Sequence, residues 1–145
     1  MAHSAAHVIL LVEDNPGDAR LVREAWRGLP GDSVMHHVPD GDAAMEFLRA
    51  QAAHPGAPQP DLILLDLNLP RKHGREVLAE IKADDRLRRI PVVVLTAAQS
   101  EEDIQAAYNL KASCCVPKPG DLDRFQQVVR SIGEFWLSTA ELPES

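Results

Sequence analysis

The chain predicts an α/β domain: a five-stranded parallel sheet, doubly wound, with helices on both faces. Three observations carry this. Five short runs are apolar at consecutive positions, which suits strands buried on both faces. Between them lie segments whose apolar residues recur at spacings of three and four, one face of a helix. The strand–helix order repeats five times without a break, the arrangement that right-handed crossovers require.

Taken in order, HVILLV (7–12) is the first strand and DARLVREAWRGL (18–29) the first helix, with Pro16 and Gly31 punctuating its ends. SVMHHV (33–38) and DAAMEFLRAQA (42–52) form the second pair, and HPGAPQP (54–60) reads as a loop. DLILLD (61–66) is the densest strand and leads into GREVLAEIKA (74–83). PVVVLT (91–96) precedes EEDIQAAYNL (101–110), for which Ser100 is a suitable N-cap. SCCVP (113–117) is the last strand. In DLDRFQQVVRSIGEFWL (121–137), Phe125, Val128, Val129, Ile132, Phe135 and Trp136 mark one helical face. The 145 residues are read as one domain, 1–145, with its core over about 7–137 and a short tail, 138–145.

Composition excludes several classes. The chain is 45% hydrophobic and 26% charged, ordinary for a globular domain. A net charge of −7, with no segment that concentrates Lys and Arg, argues against nucleic acid as the main partner. Cys114 and Cys115 are adjacent, so a bridge between them would be a strained ring, and reduced thiols are expected. The histidines lack metal-ligand spacing. No apolar run reaches the ~18 residues of a membrane span. Val8–Val12 has no basic flank and meets Glu13 and Asp14 at once, unlike a signal peptide, so a cytoplasmic location is expected.

The charges fall where such a sheet binds ligands, outside the carboxyl ends of its strands. The first strand ends at Glu13-Asp14, the third at Asp66, the fourth at Thr96, and Lys118 follows the fifth. A single acid there would be a solvated loop residue. Three together repel one another and need a cation to offset them. Carboxylates with other oxygen ligands suit a hard divalent ion, Mg²⁺ above all. Lys118 and Thr96 would complete a cradle for a phosphoryl group, and Asp66, on a central strand, would be its acceptor.

With these residues in place, the chain resembles the receiver domains of two-component response regulators over roughly its whole length. The matching set is Glu13-Asp14, Asp66, Asn68 and Pro70 in DLNLP, Gly74, Thr96-Ala97 and Lys118-Pro119. The resemblance implies a flavodoxin-like (βα)5 fold with strand order 2-1-3-4-5. It implies that Asp66 accepts phosphate from a phosphohistidine on a sensor histidine kinase. Asp14 and Asp66 would bind Mg²⁺ directly, Glu13 through water, and Asn68 through its backbone carbonyl. Thr96 and Lys118 would contact the phosphoryl oxygens, and the Lys118–Pro119 bond would be cis. The output would be a protein contact or a phosphorelay, with no output domain following. The protein would then be a signalling phosphoacceptor, not an enzyme, that promotes its own phosphotransfer and dephosphorylation.

One position departs from the pattern. Receivers normally carry Tyr or Phe three residues before the lysine, and here Cys115 stands there. A thiol cannot reproduce the inward swing of an aromatic ring. Tyr108, on the fourth helix, is expected to pack against the fifth strand instead. Ala98 is too small to position or block a hydrolytic water. The final third, with its FWL and Pro-terminated tail, is similar to receivers paired with phytochrome-type histidine kinases. Phe135, Trp136 and Leu137 are expected either to cap the core or to remain exposed and seat a homodimer through helix 4, strand 5 and helix 5. The alternative activity is a Mg²⁺-dependent phosphohydrolase with an aspartyl nucleophile. Such enzymes place a second acid two residues after the nucleophile, where this chain has Asn68. A flavodoxin-like cofactor site is disfavoured because the acidic EDNPGD loop would repel a cofactor phosphate.

Overall fold

The computed structural model describes residues 7–29, 32–53, 59–70, 72–96 and 101–139. Gly31, most of the HPGAPQP loop, Ala97, Ala98, Ser100 and the end of the tail lie outside the described residues.

The strands are β1 (His7–Val12), β2 (Ser33–Val38), β3 (Leu62–Leu65), β4 (Val92–Thr96) and β5 (Cys114–Pro117). They alternate with α1 (Pro16–Arg27), α2 (Gly41–Ala53), α3 (Gly74–Ala83), α4 (Glu101–Asn109) and α5 (Leu122–Glu134). The sheet order is β2-β1-β3-β4-β5, every pair parallel, as the sequence predicts.

Side chains alternate across a strand, so each consecutive apolar run feeds two cores. Leu10, Val12, Ile63, Leu65, Val92 and Val94 pack with residues of α2, α3 and α4, among them Leu48, Leu78 and Ala107. Ile9, Leu11, Leu62, Leu64, Val93 and Leu95 face α1 and α5, against Val22, Trp26, Phe125 and Val129. Burial on both faces holds for the inner strands β1, β3 and β4. It does not hold for β2 and β5, which form the sheet's edges, have one strand neighbour each, and are only partly buried.

Helix α1 starts two residues before the apolar pattern does. Pro16 occupies its first turn, where a missing N–H costs nothing, and the Asn15 side chain caps it by accepting from the Asp18 N–H. At the other end of the chain, α5 is capped by Asp121 and passes into a π-helical turn, Phe135–Thr139. Phe135 is 50% exposed, whereas Trp136 and Leu137 lie partly buried against the core of α1 and α5. Exposure of the whole FWL triplet is therefore corrected to exposure of Phe135, because the wider turn swings its two successors back onto the core.

Cys114 packs on the α1–α5 side of β5 and Cys115 on the opposite side, and neither forms a disulfide. Tyr108 lies against β5 as predicted, its hydroxyl accepting from the Cys115 N–H at 3.1 Å. No helix among the described residues is long and apolar enough to cross a membrane.

Candidate functional site

The parallel sheet brings the carboxyl ends of its strands to one edge, so residues distant in sequence meet there. Glu13 follows β1, Asp66 follows β3 and Thr96 ends β4; all three are buried, at 2%, 6% and 1% exposure. Lys118, one residue past β5, reaches back among them. Its Nζ donates to Glu13 Oε1 at 2.6 Å, to Asp18 Oδ2 at 3.0 Å and to Asp66 Oδ2 at 3.1 Å. An ammonium has three N–H donors, and here each meets a separate carboxylate.

The carboxylate oxygens of Glu13, Asp14 and Asp66 lie within 4.8 Å of one another. Glu13 and Asp66 are buried and Asp14 is exposed, so the cluster opens to solvent on the Asp14 side. The loop after β3 holds the acceptor-side geometry. Asp66 Oδ1 accepts from the Asn68 N–H at 3.0 Å, and Asn68 Nδ2 stands 3.5 Å from the Thr96 hydroxyl. The loop then folds back on its own start, and the Gly74 N–H donates to the Leu67 carbonyl at 2.9 Å. A Cβ at Gly74 would lie 2.4 Å from the Asp66 carbonyl oxygen and 2.5 Å from Leu67 Cα, so only glycine permits this approach.

Electrostatics follow from burial. Removal from water pushes the Glu13 carboxyl up to about 7, against the Lys118 hydrogen bond, and the charge of Asp66 adds to the rise. Burial alone would lower the Lys118 ammonium. Hydrogen bonds to Glu13 and Asp18, with the charges of Glu13 and Asp66, outweigh it and hold Lys118 above the ordinary lysine value. Four carboxylates around one ammonium leave a surplus of negative charge. An all-oxygen donor set with that surplus fits a hard divalent cation better than a soft one.

Every residue that the sequence singled out for this edge is therefore found there: Glu13, Asp14, Asp66, Asn68, Thr96 and Lys118. The Lys118–Pro119 bond is the exception to the expected geometry. It is trans, the lower-energy isomer even for X-Pro bonds, and Lys118 reaches all three acids from it. Sequence reasoning missed Asp18, because the helical pattern was taken to begin there. The signal was present in Asn15-Pro16-Gly17-Asp18, a cap followed by Pro, which places Asp18 in the first turn beside the end of β1. His37 was missed as well; its Nε2 lies 2.8 Å from the Glu13 carbonyl oxygen.

The family model described as the response regulator receiver domain matches residues 9–130. The chain belongs to the response regulator receiver family. Response regulator Rcp1 of Synechocystis sp. is 49% identical over 136 residues, covering 94% of this chain and 92% of that protein. The crystal structure of the phosphorylated cyanobacterial phytochrome response regulator RcpA superposes with a TM-score of 0.91 at 50% identity, covering 97% of this chain and all of the other. The Mn²⁺-bound form of Rcp1 gives a TM-score of 0.89 at 48% identity, covering 95% and 99%. The receiver is thus a phosphoacceptor signalling domain of the two-component type, and nothing in its site favours the phosphohydrolase alternative. Its acidic cluster is of the kind in which receivers bind a divalent metal.

Proposed function

We propose that this receiver takes a phosphoryl group onto Asp66 from a phosphohistidine of a phytochrome-type sensor histidine kinase, with Mg²⁺ as the metal. The observation that carries the assignment is the Lys118 ammonium 3.1 Å from Asp66 Oδ2, with the carboxylates of Glu13 and Asp14 gathered within 4.8 Å of the same residue. The likeness to Rcp1 and RcpA supports the choice of kinase.

In this reading one Asp66 oxygen forms the new O–P bond as the P–N bond to the donor imidazole breaks. The imidazole leaves with that electron pair, neutral when its other nitrogen carries a proton. Lys118 and the Thr96 hydroxyl hold the equatorial phosphoryl oxygens, whose charge they stabilise in place. Glu13, Asp14, Asp66 and the Asn68 backbone carbonyl would hold Mg²⁺, which supplies charge neutralisation between the acceptor and the incoming phosphoryl group. The buried mount of β3 keeps the acceptor from moving away during transfer.

The whole chain acts as one cytoplasmic receiver domain and pairs with a second copy through α4, β5 and α5. Support for the pairing is the apolar surface on that face. Phe135 and Tyr108 are half exposed there, and a groove of about 460 Å³ between β5 and α5 is lined by Cys114, Val116, Val128 and Phe135.

Incubation with phosphoramidate and Mg²⁺ tests the acceptor. The intact mass is expected to rise by one phosphoryl group, in a base-labile adduct that needs the metal and is missing from Asp66→Asn. An adduct that persists in Asp66→Asn, or none in the parent, overturns the assignment.

A further inference from the structure

We propose that Asp18, in the first turn of α1, is a positioning residue for this transfer: it holds the Lys118 ammonium over the acceptor carboxylate. The inference rests on the reading of Asp66 as acceptor and adds a residue to it.

Lys118 is 7% exposed, and its three N–H donors are shared among Glu13, Asp18 and Asp66. Those three acids are not equivalent. Glu13 and Asp66 also belong to the cluster that faces a divalent cation, whereas Asp18 does not. Esterification of Asp66 removes its negative charge from the carboxylate, and a cation draws on the oxygens of Glu13. Asp18 is then the carboxylate among the three whose charge stays committed to Lys118.

The mount of Asp18 is stiff enough for the task. Its backbone N–H is held by the Asn15 side chain at 3.0 Å, and the helix behind it is anchored by buried Ala19, Val22 and Trp26. A lysine stem has four rotatable bonds, and its ammonium is a point charge without a fixed direction. Three anchors from three elements — the end of β1, the first turn of α1 and the end of β3 — fix that point. Removing the α1 anchor leaves the other two, both of which change partners during phosphoryl transfer. Lys118 would then lose its aim at the moment when the phosphoryl oxygens need it.

Asp18→Asn keeps the shape and removes the charge. With phosphoramidate at saturating Mg²⁺, the phosphorylation rate constant of this variant is expected to fall about tenfold, the effect of losing one charge-assisted contact. The Mg²⁺ concentration at half-saturation should stay within about twofold, because Asp18 is outside the cation cluster. Asp18→Glu should recover part of the rate. A second readout does not depend on transfer: the Lys118 NH3⁺ resonance in ¹⁵N-lysine NMR, sharp in the parent because the buried ammonium exchanges slowly, should broaden in Asp18→Asn. A labelled parent with an unchanged rate or an unchanged resonance in Asp18→Asn overturns the role of Asp18 alone. So does a rate loss matched by an equal loss of Mg²⁺ affinity. A parent that takes no label overturns the acceptor reading, and this inference with it.

Discussion

At the scale of single residues, the site concentrates unlike charges under the rim of the sheet, and its pH behaviour follows. Glu13 has a folded-state value near 7 against an ordinary 4.5, so the folded, metal-free protein holds that proton more tightly than the unfolded chain does. The associated stability is fully present below 4.5 and is lost as pH rises through 7. In chelator, the thermal midpoint of the parent should fall relative to that of Glu13→Gln between about pH 5 and about pH 8, by on the order of a few degrees. Equal slopes for the two proteins would contradict the raised carboxyl. Gly74 gives a second outcome. Its missing Cβ lets the loop close to within contact of the Asp66 and Leu67 backbone, so Gly74→Ala must push backbone, not a mobile side chain. A cost of about 1–3 kcal/mol in denaturant unfolding is expected, together with slower labelling of Asp66. The sequence marked Gly74 by its place in the motif, but the distance that makes it obligatory belongs to the folded loop.

At the scale of elements, α5 and its π-helical turn divide two roles between neighbouring aromatic rings. Phe135 and Trp136 meet edge-on, with centroids 5.3 Å apart, yet one is half exposed and the other packs against the core of α1 and α5. Phe135→Asp should leave the unfolding midpoint nearly unchanged and shift sedimentation equilibrium toward monomer. Trp136→Ala should cost about 2 kcal/mol of stability through lost packing. A dimer that survives Phe135→Asp would remove the α4–β5–α5 face from consideration. The periodicity of α5 was legible in the sequence. What happened after it was not, since a switch from α to π winding leaves the apolar spacing nearly intact while turning each side chain to a new direction. The edge strands were misjudged for a related reason. The runs in β2 and β5 look as apolar as inner strands, but a run of residues carries no count of its neighbours. The start of α1 was displaced because Asn15 and Pro16 act through capping and φ, which an apolar pattern does not record.

At the scale of the whole molecule, the strand order was legible because consecutive β-α units joined by right-handed crossovers, together with the motif set, leave few topologies. The ordered residues Glu13, Asp14, Asp66, Thr96 and Lys118 converge because a parallel sheet puts every strand's carboxyl end on one side. The membership of Asp18 in that group needed coordinates, since it depends on how far a lysine bends back across the sheet. That same reach has a kinetic meaning. The partners of Lys118 lie 105, 100 and 52 positions earlier in the chain. Loop-closure entropy over such separations must be overcome before the contacts form, which makes them late events in folding. Until β5 docks, the cluster of acids has no ammonium to neutralise it and resists being drawn out of water. Closure of the sheet's last edge and neutralisation of its acidic rim are therefore one step, and a divalent cation, able to screen those acids earlier, should act on this chain as a folding aid as well as a cofactor.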